Sequence, residues 1–511
     1  MKRKLSTSIL GKCLLTALSL SLTIVSCKKN DPVISLPPVG PEQEFYVLSG
    51  NSLKRFNAKS LTTELSSVNI TGVATSETLL SIDFRPATGE LYAVSNASKF
   101  YVINATTGAA RAVSTTAFTP ALSGTDVSLD FNPTVDRIRI VTNTGQNLRL
   151  HPETGAMVMV DGNINGVTNS SISGVGYTNS FAGAANTTLY DVDLTTKKLY
   201  KQDLPNAGTL VEVGALGVDL GTKVSMDVSP DNKNILIASA SATATTLYSI
   251  DLATGKATLA GNFPSGVLVK GLAIATPPAA YAVDNTNNFL IFNPRTTAAP
   301  ISKAIIGLQA GETVLGMDMR PVNGQIYALG STSRLYAVNA SSGAFTQVGT
   351  LPFATLLAGT SFGFDFNPSV DRIRIVSNTG QNLRIDPNTG LIGAVDSPLN
   401  PGTPAVSAAA YTNNFSPTTT TKLFVIDHNT DKLYSQDANA GTLTEVGNLM
   451  VNVEASNGFD IISSSGGDTG YAILTVAGVN KLYQINLTTG AATAVSDFSK
   501  TVTAFTLGLR F

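Results

Sequence analysis

The stretch Asp130–Gly155 reads D-F-N-P-T-V-D-R-I-R-I-V-T-N-T-G-Q-N-L-R-L-H-P-E-T-G. It returns 235 residues later, at Asp365–Gly390, as D-F-N-P-S-V-D-R-I-R-I-V-S-N-T-G-Q-N-L-R-I-D-P-N-T-G. Twenty-one of the 26 positions are identical, and three of the five changes are Thr/Ser or Leu/Ile. Agreement over this length means that the chain is a duplication. Within each copy the run D-R-I-R-I-V alternates polar and apolar residues and is followed by N-T-G, the pattern of a strand entering a turn.

A shorter period lies inside the long one. Leu91-Tyr92-Ala93-Val94 precedes Phe100–Asn104 and then Thr107-Gly108, and the same order appears at Ile326–Leu329, Leu335–Asn339 and Gly343. Units of about 35 to 45 residues that hold four short strands have the spacing of propeller blades. In one unit the strands run through Ile82–Phe84, Leu91–Val94, Phe100–Asn104 and Ala110–Ser114. An Asn or Asp followed closely by Thr-Gly suits the turns between them, since the side chain bonds nearby amides and Gly takes positive φ at low cost.

First strands begin at Ile82, Leu129, Gly174 and Val224, then at Leu315, Phe364, Ala408 and Gly458. The first unit of each half opens one strand late, at Phe45 and Ala280, so Val269–Ile274 and Phe505–Phe511 are expected to supply the missing inner strands. A borrowed strand closes a ring and hides its edges. The expected fold is all-β: two tandem five-bladed β-propellers, residues 45–276 and 277–511. The alternative is one ten-bladed ring, which the short Thr276–Ala279 connection permits but which leaves a wide channel to line.

The N-terminus reads as a leader over residues 1–26. Lys2, Arg3 and Lys4 are its basic start, and the apolar run Cys13–Ser26 is too short to span a bilayer. Ile24-Val25-Ser26-Cys27 resembles a bacterial lipobox, which implies cleavage before Cys27 and acylation of its thiol. Cys13 leaves with the leader, so no disulfide or Cys-ligated metal is expected, and stability must come from core burial. Loss of the leader removes four basic residues and no acid, which takes the formal charge from −1 to −5. No basic run follows Lys29, so there is no electrostatic footprint for nucleic acid. Residues 27–44 hold four prolines without apolar periodicity and read as an extended tether. The start Lys28-Lys29-Asn30-Asp31 resembles those of Bacteroidetes-type lipoproteins, and Lys at the second position fits sorting to the outer membrane. The expected location is the outer membrane, periplasmic or surface-exposed, with membrane contact only through Cys27.

The repeated D-F-N-P…D-R-I-R…N-T-G-Q-N-L-R motif resembles the bacterial domain of unknown function 4394 family, whose members are exported repeat proteins. The likeness covers nearly the whole mature chain as two copies. It implies a propeller-like fold and brings no catalytic residues. The main departure between copies is His151 against Asp386.

Two readings of the motif follow from its residues. Arg137, Arg139, Asn143, Gln146, Asn147 and Arg149, with Arg372, Arg374, Asn378, Gln381, Asn382 and Arg384, form either an anionic-ligand clamp or a lattice between blades. Buried Arg forks need acceptors, and Asp130, Asp136 and turn carbonyls are the candidates. The two turns of the motif lie on opposite propeller faces, which favours the lattice and leaves Asn143–Asn147 and Asn378–Asn382 as its one-faced segments.

Other signals are weaker. Gly359–Gly363 matches G-x-S-x-G, but it precedes a strand, and the chain holds only His151 and His428. Asp427–Asp431 imitates a calcium loop, but Lys432 and Ala438 stand where Gly and Glu belong. With no His/Cys cluster and no phosphate-binding Gly loop, neither metal nor cofactor is expected. The sequence points to a non-catalytic, membrane-anchored module that binds an envelope protein or glycan. The alternative is a glycan hydrolase or lyase that uses carboxylates and Arg. That chemistry would bring Asp126, Asp130 or Asp136 together at an open channel.

Overall fold

The structure, a computed structural model, describes residues 39–296, 299–464 and 467–510. The leader, Cys27, most of the tether and Phe511 lie outside the described residues.

Every regular element is a strand, and the described residues form ten four-stranded antiparallel sheets, five from each half. The sequence sorts the strands by depth. Inner strands such as Leu79–Phe84 and Ile172–Tyr177 are covered on both faces and read as nearly unbroken runs of apolar and small residues. Outer strands such as Met157–Val160 and Ala110–Ala112 are short and largely open to solvent. Short outer strands limit the edge offered to other chains.

In the first half the inner strands are Leu79–Phe84, Val127–Asn132, Ile172–Tyr177, Lys223–Val228 and Val269–Ala273. The last of these pairs antiparallel with Glu44–Ser49, so the chain's own C-terminal strand of this half completes the sheet begun at its N-terminus. Neighbouring inner strands are stitched side by side. Leu129 N donates to Ser81 Oγ (3.2 Å), Ser128 Oγ to Ser173 O (2.6 Å) and Val224 N to Ser173 Oγ (2.8 Å). Gly271 then meets Ile82, where an added Cβ would lie 2.8 Å from the Ile82 amide nitrogen. Only glycine lets the fifth inner strand approach the first so closely. The inner strands of this half therefore run round a centre and return to their starting point.

The second half repeats this order with Val314–Met319, Phe362–Asn367, Val406–Tyr411, Ala455–Ser464 and Val502–Leu507. Val502–Leu507 pairs with Ala280–Asp284, three residues earlier than the expected 505–511. The difference has a clear cause. Gly508 N keeps the register and donates to Ala279 O (2.8 Å), but Arg510 N leaves it and donates to Thr88 O (3.0 Å), so the end of the tail joins the halves instead of extending the strand. Beside this contact Tyr281 Oη donates to Ala87 O (2.8 Å), Arg111 Nη1 donates to Val322 O (2.8 Å), and Ala87 enters the apolar core of the second half. The turn 85–90 of one half thus lies against the turn 320–325 of the other.

Deleting residues 502–511 removes the inner strand of one sheet and part of the contact between halves. The truncated chain is expected to melt at a lower temperature and to aggregate through the exposed Ala280–Asp284 edge. Unchanged melting and a monodisperse gel-filtration peak would show that this strand does not close the sheet.

Candidate functional site

The duplicated motif lies in the third sheet of each half, and most of its polar groups face other parts of the protein. Arg139, 1% exposed, donates from Nη1 to Asn147 Oδ1 and Asp161 Oδ2, both at 2.7 Å, and from Nη2 to Asn206 Oδ1 at 2.9 Å. Arg149 forks onto Asp161 at 2.6 and 2.9 Å, and Asn147 Nδ2 donates to Gly162 O and Pro205 O. Arg374, Arg384, Asn382, Asp396 and Asn439 repeat these bonds in the second half. The lattice joins the third sheet to a loop of the fourth.

The expected acceptors need correcting. Asp161 and Asp396, not Asp130 and Asp136, receive Arg139, Arg149, Arg374 and Arg384, whereas Arg137 and Arg372 do use turn carbonyls. Both aspartates follow Val in the last strand of the sheet, at Val160-Asp161 and Val395-Asp396, and that recurrence was the signal to read. Asp136 instead holds Arg85 of the preceding sheet (2.9 Å). Arg85 is fully buried between Asp136 and Glu153. Burial is the largest single effect and works to raise the Glu153 carboxyl, but the Arg85 charge, hydrogen bonds to the carboxylate and the Arg137 charge together hold Glu153 down at about 2.

The one-faced segments are also engaged. Asn143 Oδ1 accepts the amides of Thr125 and Asp126, and Gln146 bonds Ser123 N and Ala121 O. Asn378 and Gln381 do the same for Thr360, Ser361, Ala358 and Leu356. These side chains pin the loop that enters the third sheet. Arg137 and Arg372 turn onto the carbonyls of Asp136 (2.7 Å) and Asp371 (2.8 Å), and Arg372 also pairs with Asp386 (3.3 Å). The first half has His151 there, 3.8 Å from Glu153. Thus Arg139, Asn147 and Arg149 come together, whereas Asn143 and Gln146 serve a different loop.

The sequence reading named Asp130 but missed the set of carboxylates to which it belongs. Asp83, Asp130 and Asp227 sit on three inner strands of the first half, 1–3% exposed, with one oxygen of each within 4.8 Å of the others. Asp318, Asp365 and Asp460 form the same cluster in the second half. These carboxylates also link the sheets. Asp83 Oδ2 accepts Phe131 N (2.9 Å), Asp227 Oδ2 accepts Ile274 N (2.6 Å), Asp318 Oδ2 accepts Phe366 N (2.8 Å) and Asp365 Oδ1 accepts Tyr411 N (3.0 Å). Burial, then mutual repulsion, pushes Asp83, Asp130, Asp318 and Asp365 well above the usual carboxylate range. The recurring apolar-Asp-apolar triplet of the inner strands, as in Ile82-Asp83-Phe84 and Met226-Asp227-Val228, carried the signal.

Concave surface lies between the halves. One cavity of about 330 Å³ is lined by Glu90, Arg111, Asn414, Phe415, Leu509 and Arg510. A second of about 550 Å³ shares Phe415, Leu509 and Arg510 and reaches Tyr46 and Ile462. Phe415 is 41% exposed.

The sheets define an all-β protein of the propeller class. The sequence profile of a family described as a domain of unknown function, DUF4394, matches residues 52–273 and 288–507, and the chain belongs to that family. No curated protein matches the chain. Among solved structures it is similar to the extracellular domain of a B. thetaiotaomicron hybrid two-component system. That likeness has a TM-score of 0.26 and 9% identity, and covers 90% of this chain and 70% of the other. A likeness to the Dos1 propeller has a TM-score of 0.25 and 11% identity, and covers 66% and 93%. At such scores neither likeness adds to the assignment, which stands on sheet order.

Arg139→Ala leaves Asp161 with Arg149 alone and Asn147 Oδ1 without its donor, and is expected to cost about 1–3 kcal/mol, read as a lower midpoint in denaturant unfolding. An unchanged midpoint would contradict the lattice. For Glu153 the folded value lies below the ordinary 4.5, so its stabilisation is present above pH 4.5 and is lost as the pH falls toward 2. The melting temperature of Glu153→Gln should accordingly fall less than that of the wild type between pH 5 and pH 3, as followed by circular dichroism.

Proposed function

We propose that the protein is a lipid-anchored module of the outer membrane that binds an envelope protein or glycan and is not a catalyst. The observation that carries this reading is where the polar residues are engaged. The motif repeated most faithfully is tied into the sheets, while the concave surface between the halves combines Phe415 and Leu509 with Arg111, Arg510 and Glu90. A mixed apolar and charged cleft suits ligand binding. Anchoring through Cys27 and the tether would hold this cleft away from the lipid.

The glycan hydrolase reading has less support. Asp126, Asp130 and Asp136 are all buried, at 9%, 1% and 4% exposure. Asp126 pairs with Lys223 (3.3 Å) and Asp136 with Arg85, so neither stands at an open channel with Asp130. Phe362 of the G-x-S-x-G stretch already begins a strand, so Ser361 does not stand on a strand-to-helix elbow. His428 lies 3.2 Å from Ser407.

The reading is tested in cells and by capture. Cys27→Ser is expected to abolish incorporation of labelled palmitate and to release the protein from the membrane fraction. Labelling that persists would remove the anchor. On the released protein, Phe415→Ala combined with Arg510→Ala should lose whatever envelope protein or glycan the wild type retains. Retention that is unaffected would place the binding surface elsewhere.

A further inference from the structure

The three carboxylates at the centre of the first half stand apart from the motif lattice and from the cleft. Asp83, Asp130 and Asp227 come from the second, third and fifth sheets, and the ring brings them together although 144 residues separate the first from the last. No Arg or Lys pairs with any of them among the described residues, in contrast to Asp136 and Asp126, which have one each, and Asp161, which has two. The groups that act on them are one another and backbone amides. Among the described residues no cation balances their charges.

A second observation singles out Asp130. Its Oδ1 is closed off from solvent and has no hydrogen-bond partner, while the residue as a whole is 1% exposed. A buried carboxylate oxygen with no partner is costly, and native proteins seldom retain one without a ligand or water to receive it.

The second half offers a natural comparison. There Thr506 Oγ1 lies 3.0 Å from both Asp318 Oδ1 and Asp460 Oδ2, and it accepts Met319 N at 3.2 Å. Its hydroxyl sits between two of the three carboxyls. Thr506 is the residue before Leu507, whose amide bonds Asp460, and Ala273 is the residue before Ile274, whose amide bonds Asp227. The first half thus has a methyl group where the second has a hydroxyl. The remaining inner strand carries Gly176 or Ala410 at this level, and in the second half the following amide, Tyr411 N, bonds Asp365.

We propose that Asp83, Asp130 and Asp227 bind one hard divalent cation of calcium dimensions at the centre of the first half. Hard cations take oxygen ligands, and calcium accepts them at about 2.3–2.6 Å. Two oxygens on opposite sides of such an ion lie about 4.6–5.2 Å apart and adjacent ones lie closer, which suits three oxygens all within 4.8 Å of one another. The ion would neutralise two of three buried negative charges and give Asp130 Oδ1 its missing partner. It would also draw three inner strands toward one point, adding to the stability of the ring. In the second half the Thr506 hydroxyl already stands between two of the three carboxyls, in the place where the first half has only the Ala273 methyl.

The test uses full-length protein in detergent, purified in buffer containing calcium chloride as the only divalent cation and passed into metal-free buffer. Elemental analysis is expected to find one calcium per chain in the wild type and in Asp365→Asn. Asp130→Asn, which keeps the shape of the side chain and removes its charge, should retain at least about tenfold less. Calcium below a tenth of an equivalent in the wild type would overturn the proposal, whatever the folding of the variants. So would an Asp130→Asn protein that keeps its full equivalent, or loss of the ion in Asp365→Asn alone.

Discussion

The structure depends on a hydrogen bond from one inner strand to the next. An Asp at the deep end of an inner strand accepts the backbone amide of the following sheet, as Asp83 does for Phe131, Asp227 for Ile274, Asp318 for Phe366 and Asp460 for Leu507. Strands within a sheet are joined by ladders, but adjoining sheets of a propeller face each other through side chains. A carboxylate that bonds a backbone amide sets the position of one sheet against the next more sharply than apolar contact does. The same bonds bring like charges close together in a dry place, which works against folding unless protons or a cation reduce the charge. Closure and charge are therefore coupled at the centre of each half.

Farther from the centre a different solution operates. Arg85, Arg139 and Arg374 are buried, yet each meets a carboxylate and further oxygens at short range. Buried ion pairs of this kind contribute more to geometry than to net stability, since desolvation offsets much of the attraction. Their place at the seams between sheets is consistent with that role. The two halves have diverged at these seams. Arg85 bridges Asp136 and Glu153, whereas Arg320 has Asp371 and Tyr327, because Asn388 stands where the first half has Glu153. Asp191, buried without a partner and raised to about 8 by burial, is Val425 in the second copy.

The architecture was legible because strand and turn signals are local. Apolar alternation, Asx-Thr-Gly turns and the late start at Phe45 and Ala280 were enough to place the sheets and to name the strands that complete them. The partners of the motif were less legible. Asp130 lies opposite Arg139 in the strand register, an arrangement that suggests a pair. In the folded protein Arg139 reaches outward to Asp161, and Asp130 stays with the other axial carboxylates. Register follows from neighbouring sequence, but the direction in which a long side chain leaves the strand is set by the adjoining sheet. The axial cluster joins residues from three sheets, so no local pattern could assemble it, although each member repeats the same apolar-Asp-apolar triplet.

Amide hydrogen exchange tests most directly whether the carboxylate-to-amide bonds hold the inner strands. The amides of Phe131, Ile274, Phe366, Tyr411 and Leu507 should be among the slowest to exchange, slower than those of outer strands such as Met157–Val160. They should also accelerate together when Asp83 or Asp318 is replaced by Asn in the corresponding half. Exchange at these five positions as fast as in the outer strands would contradict the account.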